Sequence, residues 1–484
     1  MLKFYLFCIF FLVGCQSNIN NNFSNELDTL RILPILEDLS DVENFSKFEL
    51  SVNMGEMNFF DGILTDTYGY NGNFLGPVIK VSDGDNVSIL VKNNLNEVTT
   101  VHWHGLKVDG KNDGGPHNII NSNGGVWNAN FIVNQSASTL WFHPHPHPHT
   151  GKQVFMGLAG LFIIEDNISD NLNIPREYGV NDIALIISDK RFDGNGQLRY
   201  VENHHDIING VTGENILVNG GIFPNKNVYS ELIRLRIVNG ATSRVFDYSF
   251  SNYLDFYQIA GDGGFLEKPL KMKNLILAPG ERAEILIDLS NYDVGENIFL
   301  KYSDFEILKL SVIGDDSGFI SSGLSFSDVD EFFLEYDSVV INDSLKKRFF
   351  EMSMVGPVGL INGVSMDMDV INEYVNLGDL EVWEVENIGM HHGGFGGMGQ
   401  GMRNMGGMMN TAHSFHIHGV QFKVLERNGD EPFENEKGWK DTVKVEVGEK
   451  VKLLIRFEYS GLFMYHCHFL EHEDAGMMGQ FLVE

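Results

Sequence analysis

Cys467 stands between two histidines, in Tyr465-His466-Cys467-His468, and is followed by His472 and Met477. A thiolate, imidazole nitrogens and a weak axial thioether make up the donor set of a blue copper site, where soft sulfur favours copper over hard cations. On an extended strand successive side chains face opposite ways, so His466 and His468 point away from the thiolate, towards a second metal site. One tripeptide can then join two sites. A lone cysteine is more often a small buried hydrophobe. Three pairs with His-x-His spacing weigh against that here: His102-Trp103-His104, His143-Pro144-His145 and His416-Ile417-His418. The strand repeat of two puts both rings of each pair on one face, within reach of the same or adjacent metals.

These residues lie far apart in the chain, so whole domains have to bring them together. At 484 residues the chain exceeds one ordinary core, and two to four domains are expected. Its hydrophobic content of 43% and aromatic content of 12% are globular. The net charge of −32 argues against nucleic acid and anionic membrane surfaces as partners and suits cations, although plain acidic solvation would look the same. Cys8 and Cys15 lie in an apolar leader, so Cys467 has no disulfide partner in the body and is free for metal.

Lys3 followed by the run Phe4 to Val13 is too short to span a bilayer and is expected to be an export signal, residues 1–15. Leu12-Val13-Gly14-Cys15 is similar to the lipobox of bacterial lipoproteins, which implies a lipidated Cys15. Residues 16–44, rich in Asn and Ser, are expected to be a tether. Beyond them short alternating runs dominate. Asn86–Asn93 places Val87, Ile89 and Val91 on one face, and 233–239 does the same with Ile233, Leu235 and Ile237. A loose repeat also runs through the chain. An Asn-Gly turn (Asn71-Gly72, Asn219-Gly220, Asn362-Gly363) precedes an alternating strand ending in Asn93, Asn239 or Asn387. In the second and third copies a Gly-Glu turn follows, at Gly280-Glu281 and Gly448-Glu449. Three copies predict an all-β chain of three β-sandwiches, residues 45–170, 171–335 and 336–484.

From about residue 70 to its C-terminus the chain resembles the multicopper oxidases, most closely the bacterial periplasmic cuprous oxidases that confer copper tolerance. The resemblance rests on Val101-His102-Trp103-His104-Gly105-Leu106, on His413-Ser414-Phe415-His416-Ile417-His418-Gly419, and on the two His-x-His motifs containing His143 and Cys467. It implies three tandem cupredoxin-like Greek-key domains and four copper ions. The type 1 ligands would be His413, Cys467, His472 and Met477, and the type 2 ligands His102 and His416. The type 3 pair would take His104, His143, His145, His418, His466 and His468, at the interface of domains one and three. Residues 143–149 alternate His and Pro and allow more than one ligand pair; similarity at Trp141-Phe142 and Met156 to Gly160 selects His143 and His145. Met478 competes with Met477, and the Cys+10 spacing favours Met477. Asp113 and Glu473 match the family's proton-supply positions, and reducing O2 to water does consume protons.

A loop at 388–412, abutting His413, carries Met390, His391, His392, Met398, Met402, Met405, Met408 and Met409 among glycines. Thioethers select Cu(I). The reading is an exported, monomeric periplasmic oxidase of Cu(I), with O2 as acceptor. The family's known cuprous oxidases carry their methionine-rich insertion earlier in the third domain, where this chain has only Met352, Met354, Met366 and Met368. A laccase-like oxidase of phenols or Fe(II) and a non-enzymatic copper-binding protein are the alternatives.

Overall fold

Strands with one apolar face need a second sheet to cover it. The computed structural model, which describes residues 29–315, 345–390 and 411–484, meets this need three times. In the first sandwich, strands Ile63–Tyr70, Phe45–Phe60, Asn86–Asn93 and Gly125–Ile132 form one sheet. Val78–Ser82, Gly160–Glu165, Ser138–His143 and His102–His104 form the other. A seven-stranded and a five-stranded sheet make the second sandwich, and two five-stranded sheets make the third. Each encloses its own apolar core. The chain is all-β, with three tandem cupredoxin-like domains.

The repeat is present in hydrogen bonds as well as in turns. Asn71, Asn219 and Asn362 each sit at positive φ in their turns. The side-chain oxygen of each accepts from a neighbouring strand's N–H (Ser51, Ile186, Glu351), and its amide donates to the carbonyl two residues earlier (Glu49, Ala184, Phe349). Buried Asn93, Asn239 and Asn387 repeat a second pattern. Each accepts from the N–H two residues on (Leu95, Ala241, Gly389) and donates across the sandwich to Ile120, Leu277 or Val445. The turn glycines Gly280 and Gly448 donate their N–H to Asn239 O and Asn387 O, and Gly124 does the same to Asn93 O. Gly124 is the first-domain counterpart, which lacks the following Glu by which the other two were recognised.

Residues 29–36, expected to belong to a tether, are packed instead, while 37–44 run largely exposed to the first strand. Leu30 lies in the second domain's core and Leu33 is fully buried beside the first. Leu30 N–H donates to Asn225 O and Leu36 N–H to Val78 O. The apolar run Leu30 to Leu36 has more to gain in the groove between two sandwiches than in water. The expected leader with Cys15, the start of the tether and the boundary near residue 335 lie outside the described residues.

Buried polar clusters hold the domains together. Arg236 forms a fork with Asp182, bonds Glu284 at 3.0 Å, and reaches Thr139 of the first domain at 2.9 Å. Lys190, 2% exposed, lies over the Phe155 ring at 4.4 Å. Burial pulls its ammonium down to about 8 against the opposing pull of Asp189 and Glu471. Below that pH both folded and unfolded chains hold the proton. Between about 8 and 10.5 only the unfolded chain does, so this group makes stability rise with pH through that window, by about 3 kcal/mol. Lys190→Met is expected to abolish that rise and to stabilise the neutral-pH protein by up to about the same amount. The check is urea unfolding of the metal-free protein and variant from pH 7 to 10.5, taken as a difference so that tyrosine ionisation cancels.

Candidate metal centre

The strand Gly461–Cys467 pairs with His413–Ile417, which brings Cys467 opposite Phe415 and His466 opposite His416. The short helix Leu470–Asp474 then returns the chain, and Cys467 N–H donates to Met477 O at 3.0 Å. This fold puts Cys467 Sγ 3.3 Å from His413 Nδ1 and 3.7 Å from His472 Nδ1, with the two Nδ1 atoms 3.1 Å apart. Met477 is fully buried in the same apolar cluster as Cys467, while Met478 takes the next position, opposite His466. Burial pushes the thiol up to about 12 and pulls His472 down to about 4. The site is dry and neutral, and a thiolate there requires a bound cation.

The eight histidines of the four His-x-His pairs gather where domains one and three meet. His102 stacks on His418, and His104 on His416, each with ring centroids 3.7 Å apart across the interface. Seven ring nitrogens on the outside of the two sites face acceptors. His102 Nδ1 lies 3.0 Å from Asp113 O and His416 Nδ1 2.8 Å from Asp441 O. His418 Nδ1 is 2.8 Å from Asp113 Oδ2, and His104 Nε2 3.0 Å from Asp441 Oδ1. His143 Nδ1, His466 Nδ1 and His472 Nε2 meet the carbonyls of Pro144, Cys467 and Ile208. A nitrogen that must donate leaves its ring's other nitrogen as a lone pair.

Those lone pairs face each other. His102 Nε2 and His416 Nε2 are 3.4 Å apart, His104 Nδ1 and His143 Nε2 3.3 Å, and His418 Nε2 and His466 Nε2 3.1 Å. His145 Nε2 also lies 3.1 Å from His466 Nε2, and both nitrogens of buried His468 lack a hydrogen-bond partner. Protonation does not relieve the conflict. Burial, followed by the charges of neighbouring imidazoles, holds His104, His145, His416 and His418 well below their usual pKa. Cations between the rings do relieve it, and imidazole suits copper. Possible ligand atoms group as His104, His143 and His468, as His145, His418 and His466, and as His102, His104 and His416.

Asp113 Oδ1 is buried without a partner, and the residue lines a cavity of about 310 Å³ with His117, Leu462 and Met464 that reaches exposed Lys111. Glu473 Oε2 is 3.1 Å from His466 Nδ1 and its Oε1 3.5 Å from His145 Nδ1. His147 is half-buried, within range of the Glu473 charge, and His149 is exposed; neither belongs to the groups of possible ligand atoms. Met390 ends the strand Leu380–Met390, paired opposite Met354 and half-buried against the third domain's core. His391, His392, Met398, Met402, Met405, Met408 and Met409 lie outside the described residues. The segment with Met366 and Met368 runs against the turn that follows His472, Met366 N–H donating to Gly476 O. Asp441 was not evident from sequence. It holds two of the histidines although no histidine spacing points to it.

The multicopper oxidase family matches residues 51–169 and 346–484. "Multicopper oxidase mco" of Staphylococcus haemolyticus is 39% identical over 449 residues, 93% of this chain and 91% of that protein. The crystal structure of a laccase from Pediococcus acidilactici superposes with a TM-score of 0.83 at 34% identity, covering 94% of this chain and 93% of its own. "Cell division protein FtsP" of Escherichia coli is 32% identical over 90% of this chain and 89% of its own length. Likeness of this extent, together with a histidine arrangement that calls for copper, makes this chain a member of the multicopper oxidases.

Proposed function

We propose that the protein is an exported oxidase that couples one-electron oxidation of Cu(I) to the four-electron reduction of O2 to water, and so detoxifies copper. Four cuprous ions, one O2 and four protons give four cupric ions and two waters. His413, Cys467, His472 and Met477 would hold a type 1 copper, and His102 and His416 a type 2. His104, His143 and His468, with His145, His418 and His466, would hold a type 3 pair. When bound, these ions store electrons singly and deliver them together to O2. The chain supplies the route between the sites: His466 and His468 flank Cys467 in the backbone, and His466 Nδ1 bonds Cys467 O at 3.1 Å. It also supplies buried carboxyls for protons, Asp113 from the cavity side and Glu473 between His145 and His466. Leu12-Val13-Gly14-Cys15 supports export with a lipid anchor on the bacterial membrane.

The observation that carries Cu(I) as reductant is the thioether-rich stretch that runs directly into the type 1 ligand His413. Met366 and Met368 beside the Gly476 turn add soft donors on the described side. Because Met390 packs in the core, the test replaces residues 391–409 only, with a Gly/Ser loop. Oxygen uptake with Cu(I) as sole reductant is expected to fall about tenfold or more, with phenol oxidation kept or raised. Unchanged cuprous activity would move the substrate site to Met366 and Met368. The likeness to a laccase favours phenols or Fe(II) as a second reading. Under it, phenol turnover would exceed cuprous turnover in the unaltered protein. Against a non-enzymatic role, suggested by likeness to a division protein, stands the complete set of inward-facing nitrogens.

A further inference from the structure

The second domain supplies none of these ligands, yet it forms one wall of the histidine site. A Cβ on Gly280 would lie 3.0 Å from His468 Cδ2 and 3.1 Å from His104 Cε1, so the backbone there lies hard against both rings. Pro279 O accepts from Ser414 Oγ at 2.9 Å. Two residues on, Arg282 is fully buried and has all five of its N–H groups bonded. Nε reaches Thr139 O of domain one at 3.2 Å. Nη1 reaches Gly280 O and Asp441 Oδ1 at 3.0 and 2.6 Å, and Nη2 reaches Asp262 O and Asp441 Oδ2 at 2.8 and 2.5 Å. One side chain thus ties all three domains. The held carboxylate accepts from His104 Nε2, and the same residue's carbonyl accepts from His416 Nδ1.

We infer that Arg282 is a positioning residue of the trinuclear site: by fixing Asp441 it selects the tautomer of His104 and the placement of His416, so that both present lone pairs inward. Without the fork, Asp441 is held only by the Thr442 hydroxyl at 2.8 Å and by His104 itself, His104 Nε2–H can turn to Thr442 Oγ1 at 3.0 Å, and the pocket that takes His104 and His416 loosens. The type 1 pocket, built from His413, Cys467 and His472, does not depend on this contact. Domain two is then part of the copper-binding apparatus rather than a spacer.

The inference rests on the copper assignment above and not on the identity of the reductant. The test compares copper content, the blue absorption of the type 1 site and the electron paramagnetic resonance of the type 2 site in the copper-loaded protein and three variants. Arg282→Gln is expected to keep the blue band and lose most of the type 2 signal, with copper per chain falling by at least one. Arg282→Lys keeps the charge but cannot make the fork, so it should restore part of the copper and leave the type 2 signal shifted from that of the parent. Arg236→Gln breaks a comparably buried ion pair that touches none of these histidines; it should lower thermal stability and leave both signals unchanged. If both Arg282 variants keep the parent's type 2 signal and copper content, or if Arg236→Gln loses them equally, the inference is overturned. Absence of a type 2 signal from the parent itself would instead count against the copper assignment. If Arg282→Gln does not fold, the signal of Arg282→Lys decides.

Discussion

Cys467→Ser is expected to give a folded protein with no blue absorption, one copper fewer, and no turnover above background with any reductant. The argument starts from burial. The sulfur is fully enclosed, 3.3 Å from His413 Nδ1 and 3.7 Å from His472 Nδ1. Enclosure holds the metal-free thiol protonated up to about pH 12, so its ionisation must be coupled to copper uptake. A serine hydroxyl is far less acidic and a hard donor, and does not replace the thiolate. Serine fills nearly the same volume, so the apolar cluster around it should survive. The checks are visible absorption, copper content and oxygen uptake on one preparation. Residual turnover of even a few per cent would mean that electrons reach the histidine cluster without passing Cys467.

Asp113→Asn should show the opposite pattern, with copper kept and turnover lost. The amide keeps the shape, and its oxygen can still accept from His418 Nδ1, now at 2.8 Å from the carboxylate. It cannot release a proton. Asp113 Oδ1 has no partner, and the residue lines the cavity that reaches Lys111, so under the proposed function the change removes proton supply. General acid catalysis of this kind is worth about 100-fold or more. Turnover should fall by that factor for cuprous and phenolic reductants alike, because the loss lies on the oxygen side, while the absorption of the type 1 site is unchanged. Single-turnover experiments separate the cases: reduction of the blue site at the normal rate, followed by slow reoxidation by O2, is the expected result. Slow reduction instead would place the damage at the electron-accepting end.

Much of this was legible in the chain because strands obey a period of two. His-x-His puts two rings on one face wherever it falls on a strand, and Cys467 between two histidines puts sulfur and imidazole on opposite faces. Only His102 and His104 lie wholly on a strand, while His145, His418 and His468 fall just past the ends of theirs, so local spacing carries the geometry only as far as the strand ends. The division of the six histidines proposed for a type 3 pair into two groups was not legible, since it depends on how domain one stacks on domain three. Asp441 and Arg282 were hidden for the same reason. Asp441 meets His104 across 337 residues of chain and Arg282 across 159, and neither contact leaves a local pattern. The tether was misjudged because the Asn-rich composition of its beginning was extended over Leu30 to Leu36, whose apolar side chains found a groove that only the assembled domains create. Gly124 escaped because its turn lacks the Glu of the other two.

The stacked rings of His102 and His418 have a consequence for the order in which the molecule is made. Their strands are separated by most of the chain, and contacts of such long range close late in folding. A ribosome that has finished domains one and two has produced half of the histidine cluster and none of His413, Cys467 and His472. Copper therefore has no complete pocket to enter until the last strands, Gly461–Cys467 and Met478–Val483, are in place. A chain truncated before residue 413 keeps the first two sandwiches but lacks His413, Cys467 and His472, and should show no blue absorption when copper is added.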